Sequence, residues 1–288
     1  MLKGTVIGGY GFIGSALVRV LQQLGWECDV VGRESVWPVQ GQYLGHVFYC
    51  AGLTANYGTR PFDTVQAHTA LLSQVLASSR WDTLVYLSST RLYDYALLAG
   101  DEKKSCNECS DFVLNPLHAR HIFDLTKLTG EALCHAMGQG RARVARLACI
   151  VGDGNDAHGF LPMLLRSTVK ALANTDSIDS VRLDSSGSFQ RDYVLLEDAL
   201  QALIAIAISG KHACYNIASG KNILNRELTD TLNKHLLGRV LFEYSRTDIQ
   251  NSPTIDTRLL SEIMDWQPTC VLSQLHIWMK QLLARNEI

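Results

Sequence analysis

The sequence lacks any apolar stretch of membrane-spanning length, any run of like charge, any internal repeat and any low-complexity segment. The first absence argues against a transmembrane helix. The second, together with a formal net charge of -2, removes the basic footprint expected of a nucleic-acid-binding protein. A secretory leader is not expected either, because an apolar strand begins almost at Met1. Without a leader, the eight cysteines (Cys28, Cys50, Cys106, Cys109, Cys134, Cys149, Cys214 and Cys270) are expected to be reduced thiols, not a disulfide framework. The expected compartment is the cytoplasm. What remains is a chain of 288 residues, 47% of them hydrophobic. That is enough to bury the core of one large α/β domain, or of a domain with a smaller lobe.

Apolar runs of strand length alternate with segments of helical period. Residues 2–8, 27–32, 46–52, 83–89 and 143–152 read as buried strands, and 12–24 carries apolar residues at helical spacing. The alternation predicts α/β class: a Rossmann doubly wound parallel sheet with a small C-terminal substrate lobe. Residues 1–150 are expected to form the dinucleotide-binding domain and 151–288 mainly the lobe, with segments near 190–220 returning to the first unit. The polar stretch 95–115 holds Gly100 and ends at Pro116. It predicts a long functional loop before a helix over 117–137. Leu272, Leu275, Trp278, Met279, Leu282 and Leu283 fit one face of a packed terminal helix.

Gly8, Gly11 and Gly14 follow the first strand and open the first helix. In a dinucleotide-binding loop the first glycine permits the tight turn. The second lets backbone amides approach a pyrophosphate, and the third lets the helix pack closely on the strand. The phosphate then meets the unpaired N–H groups and positive end of the helix. The residue that selects the dinucleotide stands at the end of the second strand, where an acid would hold the ribose 2′-hydroxyl of NAD. This chain has Gly32 and Arg33 there, with Glu34 next. With no carboxylate at the strand end, repulsion of a 2′-phosphate is absent, and the guanidinium can clamp that phosphate or stack on adenine, which favours NADP. NAD stays possible if Glu34 folds back.

Further along, Leu87-Ser88-Ser89-Thr90-Arg91-Leu92-Tyr93 resembles the serine-bearing strand end of the extended short-chain dehydrogenase/reductases, the branch of nucleotide-sugar epimerases and dehydratases. Phe123-Asp124-Leu125-Thr126-Lys127, followed by Gly130-Glu131-Ala132, resembles their tyrosine-x-x-x-lysine helix. The segment from Arg146 to Gly154, then Arg191-Asp192-Tyr193-Val194 with Asp198, Tyr215-Asn216-Ile217-Ala218-Ser219-Gly220 and Asp265-Trp266-Gln267-Pro268 continue the resemblance in order. It covers nearly the whole chain.

The resemblance implies a catalytic set of Ser89, the residue at 123 and Lys127. The serine bonds the reacting oxygen, a tyrosine exchanges a proton, and the lysine holds the nicotinamide ribose and lowers the tyrosine pKa. It implies cofactor contacts from Gly8, Tyr10, Gly11, Phe12, Ile13, Gly14, Arg33, Ala51, Gly52, Ser88 and Lys127, and substrate contacts from Thr90, Cys149 and Arg191. The implied partner is a nucleotide-sugar, with Arg191 a candidate for its diphosphate or, equally, a structural arginine paired with Asp192 or another acid. Homodimers built from helices near 64–78 and 117–137 are common in this family.

Position 123 departs from the pattern: phenylalanine has no proton to exchange. Either the chain is a naturally inactive or rerouted member, or the residue is a substitution in an otherwise competent scaffold. His121 is a conceivable substitute acid, but two residues along a helix it should point away from Phe123. The family's 4,6-dehydratases carry an aspartate and a glutamate after the serine. Thr90 and Arg91 stand here instead, which disfavours elimination and leaves epimerisation or keto-sugar reduction. Cys149 replaces an asparagine that family members often use. Cys106-x-x-Cys109 and His118-x-x-His121 superficially resemble a zinc set, but the spacing is unlike a finger's and no metal is expected. Two other functions stay open: a catalytically silent dinucleotide-binding protein, favoured by Phe123, and a reductase of a small non-sugar carbonyl compound.

Overall fold

In the computed structural model, residues 1–33, 35, 41–95, 105–118, 120–152, 159–172, 179–247 and 252–285 are described. Glu34, Gly100 and Gly154, which carried sequence expectations, lie outside them. The chain begins with β1 (Lys3–Ile7), α1 (Phe12–Gln23), β2 (Glu27–Val31) and β3 (His46–Tyr49). It continues with α2 (Pro61–Val65), a π-helical turn (Gln66–Ala70), α3 (Leu71–Ser78), β4 (Thr83–Ser89), β5 (Ser105–Cys106), α4 (His121–Met137) and β6 (Ala142–Leu147). β7 (Cys149–Val151), α5 (Phe160–Leu172), β8 (Asp179–Ser186), β9 (Gln190–Leu195), α6 (Leu196–Ser209) and β10 (Cys214–Ile217) follow. The last elements are β11 (Asn222–Leu224), α7 (Asn225–Leu236), β12 (Val240–Arg246), β13 (Thr254–Ile255), α8 (Arg258–Ser261) and α9 (Val271–Ala284).

Six strands form one sheet in the order β10-β6-β4-β3-β1-β2, with every pairing parallel. Parallel strands need crossover helices, so both faces are covered and the strands read as continuous apolar runs. Side-chain alternation divides them between two cores. Val6, Phe48, Val85, Leu87 and Ala145 pack with α1 and α6. Ile7, Val47, Tyr49, Leu84, Tyr86 and Val144 pack on the other side, with Leu72 and Val75 of α3 and Cys134 of α4. The chain leaves β1 toward β2 on one side and returns to β3 on the other. That reversal opens a crevice at the carboxyl ends of the strands, the place where open α/β sheets bind ligands.

The lobe has a separate core in which Leu164 and Leu165 of α5, Leu228 and Leu232 of α7 and Leu275 and Met279 of α9 meet Leu183 and Tyr193. Its strands form a three-stranded set, β11-β9-β7, and a pair, β12-β8. β10 joins the main sheet and α6 packs against it, although both follow lobe strands. Among the described residues no helix is long and apolar enough to cross a membrane.

The strand expected over 46–52 ends at Tyr49, the stretch 95–115 holds the short β5, and two further boundaries differ from the sequence expectation. The run at 143–152 is two strands, not one: β6 pairs in the main sheet, whereas β7 pairs with β9. Ala148 lies between them, its N–H still bonded to the Ile217 carbonyl at 2.9 Å. A single apolar residue separates the strands, so apolar periodicity carries no mark of the change of sheet. The helix expected from 117 begins at His121. Asn115 is the reason: its side chain accepts from the Leu117 N–H at 3.0 Å, an Asx turn that competes with helix.

Candidate functional site

The crevice holds a cavity of ≈ 360 Å³, walled by the start of α1, the ends of β3, β4 and β6, the inner face of α4, and lobe residues from β7 and β9. Phe12, Ile13, Gly52, Ser88, Ser89, Thr90, Phe123, Lys127, Cys149 and Arg191, all expected from the sequence, line it. Gly8, Tyr10, Gly11, Gly14, Arg33 and Ala51 lie outside that lining, along the loop and strand ends that flank it.

The glycine loop is shaped by steric necessity. Gly8 has φ +82° and a Cβ there would stand 2.7 Å from the Ala51 nitrogen, so the loop packs against the turn after β3. A Cβ at Gly14 would meet the Gly8 carbonyl oxygen at 2.3 Å. The close approach at Gly14 is therefore helix to loop, not helix to strand as expected. Gly11 is the N-cap of α1 and no side chain caps the helix. The first-turn amides are thus left for an external acceptor. At the end of β2, a Cβ on Gly32 would collide with the Tyr10 ring at 2.7 Å, and the Gly32 N–H donates to Ser35 Oγ at 2.9 Å. Arg33 is exposed.

Lys127 sits on the buried face of α4. Its ammonium donates to the Leu87 carbonyl at 2.8 Å and lies 5.0 Å from the Tyr86 ring centroid. Burial pulls its pKa down to about 8, partly offset by the Glu131 carboxylate. Ser89 caps the short turn Thr90–Tyr93, its Oγ accepting from the Arg91 N–H at 3.2 Å. That leaves the hydroxyl proton for a ligand. Ser88 reaches the cavity wall, but its hydroxyl is engaged with Glu131 Oε1 at 2.5 Å. Thr90 Oγ1 donates to the Leu147 carbonyl at 3.3 Å.

Phe123 is 1% exposed. Its ring centroid lies 5.3 Å from that of Tyr57 and 5.6 Å from that of His68, and the Arg91 guanidinium carbon lies 5.2 Å away. His68 is fully buried on the π-helical turn. Its Nε2 accepts from the Leu53 N–H at 3.1 Å, which places the ring proton on Nδ1, 2.8 Å from Thr126 Oγ1. Burial, aided by the Lys127 charge, drives its pKa down to about 2, so the ring is neutral. His121 Nδ1 sits against the Asn115 backbone, and its ring packs on Tyr95 and His118, away from the cavity lining.

Arg191 carries a partner, though not the neighbouring acid. Its Nη1 donates to Asp94 Oδ1 at 2.6 Å, and Asp94 Oδ2 accepts from Arg120 at 2.8 Å. Asp192 accepts instead from the N–H groups of Ser219 (2.7 Å) and Gly220 (2.8 Å), while burial raises its pKa to about 6. Burial also raises the Cys149 thiol pKa. His68, Tyr57, Asp94 and the buried Glu131–Arg146 pair, 2.6 Å apart, were assigned no role from the sequence. Each acts across a long chain separation, so no local spacing marks it.

Residues 5–218 match the model of the NAD dependent epimerase/dehydratase family. A dTDP-4-dehydro-6-deoxy-D-allose reductase from Streptomyces bikiniensis is 22% identical over 304 residues, covering 91% of this chain and 90% of the reductase. Among solved structures, RMD from Pseudomonas aeruginosa complexed with NADPH superposes with a TM-score of 0.76 at 20% identity, over 99% of this chain and 100% of that one. UDP-glucose 4-epimerase from Thermotoga maritima, with UDP-glucose, superposes with a TM-score of 0.74 at 17% identity, over 98% and 99% of the two chains.

Proposed function

The chain belongs to the NAD dependent epimerase/dehydratase family, and from that premise we propose that it is an NAD(P)-dependent nucleotide-sugar epimerase or keto-sugar reductase. The observation that carries this reading is the meeting of Ser89 and Lys127 beside Phe123 in one cavity bordered by the uncapped start of α1. The nicotinamide, when bound, supplies hydride exchange at a ring carbon. The amides of α1 hold an anion, the Lys127 ammonium offers a donor to the ribose, and the Ser89 hydroxyl bonds the reacting oxygen. The residues present fit that role: Gly8 and Gly14 let the loop pack tightly on the turn after β3 and on α1, and no side chain caps the α1 amides. Arg33, exposed just after β2 where no acid ends the strand, favours NADP over NAD. Thr90 and Arg91 in the cavity wall bring no carboxylate, so water elimination is disfavoured.

Phe123 favours a second reading, a catalytically silent dinucleotide-binding protein, since the phenyl ring packed between Tyr57 and His68 has no proton to give. The deciding experiment is hydride exchange between labelled NADPH or NADH and a panel of UDP- and dTDP-sugars and simple ketones, run on the protein and on Phe123→Tyr. Exchange with a nucleotide-sugar by either form supports the enzyme. Exchange with ketones alone points to a non-sugar reductase, and cofactor binding with no exchange by either form supports the silent protein. The eight cysteines are all free thiols, which supports a cytoplasmic setting. Exposed Val65 and Leu125 support a homodimer formed through the helical segments 64–78 and 117–137.

A further inference from the structure

Arg91 stands in the turn that leaves β4, and its backbone is held on both sides. The N–H donates to Ser89 Oγ at 3.2 Å and the carbonyl accepts from Arg120 Nη2 at 2.9 Å. The side chain borders the cavity, with its guanidinium carbon 5.2 Å from the Phe123 ring centroid and 5.7 Å from that of Tyr57. Aromatic faces hold a cation in place but bring neither a negative charge nor an oxygen lone pair. Among the described residues no carboxylate pairs with Arg91 and no side-chain hydrogen bond uses its donors. Asp94 joins Arg120 and Arg191, and Asp124 joins Arg120 at 3.1 Å; Asp124 also feels the Arg91 charge, but neither acid makes an ion pair with the Arg91 guanidinium.

A half-buried guanidinium with no carboxylate in direct contact leaves its donors unpaired, and a ligand carboxylate would supply the missing partner. Its planar fork matches a carboxylate through two parallel bonds. Neutral sugar hydroxyls do not call for a full positive charge. The position also matters: Arg91 is adjacent to Ser89 and Phe123, the end of the cavity where the reacting sugar carbon belongs. Arg191, on the lobe side, is the alternative cation for a diphosphate, although Asp94 already shares its charge. We propose that Arg91 determines substrate specificity by binding a carboxylate carried on the sugar, so that the substrate is a nucleotide-activated sugar acid. This rests on the nucleotide-sugar reading above.

The test is calorimetry on the intact protein with NADPH bound, using UDP-glucuronate against UDP-glucose, UDP-galacturonate against UDP-galactose, and UDP alone. The sugar acid of at least one pair is expected to bind about tenfold or more tightly than its neutral partner, from one charge-assisted contact. Arg91→Ala should remove that advantage, leaving the neutral sugars and UDP within about threefold of their original affinity. Arg91→Lys should keep part of it, since charge survives without the fork. Thermal melts of the same samples check that each variant is folded. Neutral sugars binding as tightly as the acids would overturn the inference while leaving the nucleotide-sugar reading intact. Equal weakening of UDP and all sugars by Arg91→Ala would also overturn it, by showing a diphosphate contact. No binding by any nucleotide-sugar would overturn both.

Discussion

The Lys127 ammonium reaches from α4 to the Leu87 carbonyl of β4 at 2.8 Å, tying the helix to the strand that carries Ser89. The contact holds the cation almost wholly out of water, and this is why burial dominates its titration.

Lys127 is therefore expected to lose its proton near pH 8 in the ligand-free protein. Its folded pKa lies below the unfolded value of 10.5. The unfolded chain thus binds more protons between those values, and this group's contribution makes stability rise with pH across that window. Cofactor affinity that depends on the ammonium should fall as pH rises through about 8. The pH dependence of NADPH binding, measured for the protein and for Lys127→Met, checks this. A midpoint unchanged by Lys127→Met would show that another group titrates.

Phe123→Tyr should create or raise turnover on a suitable nucleotide-sugar by about a hundred- to ten-thousandfold, the usual worth of a positioned acid–base group. In that background, Ser89→Ala should lower rate with little change in cofactor affinity, because the role proposed for the serine hydroxyl is to bond the reacting oxygen. Adding Lys127→Met instead should lower both. Steady-state kinetics with cofactor titration separates these outcomes. High turnover by the Phe123 form, unchanged by the added hydroxyl, would show that another group or water carries the proton.

Arg33→Ala is expected to weaken NADP(H) selectively. It removes a candidate phosphate contact and leaves the loop at Gly8, Gly11 and Gly14 unaltered. Calorimetry with NADPH and NADH decides the matter, and tighter binding of NADH by the unaltered protein would refute the cofactor preference.

The Glu131–Arg146 pair makes a prediction about stability. Both side chains are about 5% exposed or less, and the guanidinium also donates to the Tyr93 hydroxyl at 2.7 Å. Arg146→Met should cost about 3–5 kcal/mol by leaving the carboxylate buried without its counter-charge. Combining it with Glu131→Met should recover part of the loss, since two apolar groups then pack together. Urea unfolding of the single and double variants measures both values.

The alternation of strands and helices, the glycine loop and the residues Ser89 and Lys127 were legible because each is a local pattern. Apolar spacing records which face of one element is buried, and the separation of 123 from 127 is one helical turn. The change of sheet between β6 and β7 escaped that reading, since Ala148 alone separates them and no turn residue marks the break. Arg191 was legible as a cation in the cavity, but its partner was not, because Asp94 arrives from the turn after β4. His68 was invisible for the same reason: its two bonds go to Leu53 and to Thr126 on α4.

The chain by itself determined where hydrogen-bond donors, cations and a hydroxyl-free ring stand along each element, since side-chain chemistry and helical or strand period are properties of neighbouring residues. Only the tertiary structure decided which charges cancel. Arg120 and Arg191 share Asp94, whereas Arg91 lies over Phe123 with no carboxylate beside it among the described residues. Charge interactions depend on distances through a poorly screening interior. Those distances are set when β4, α4 and β9 pack together, not by their order in the chain.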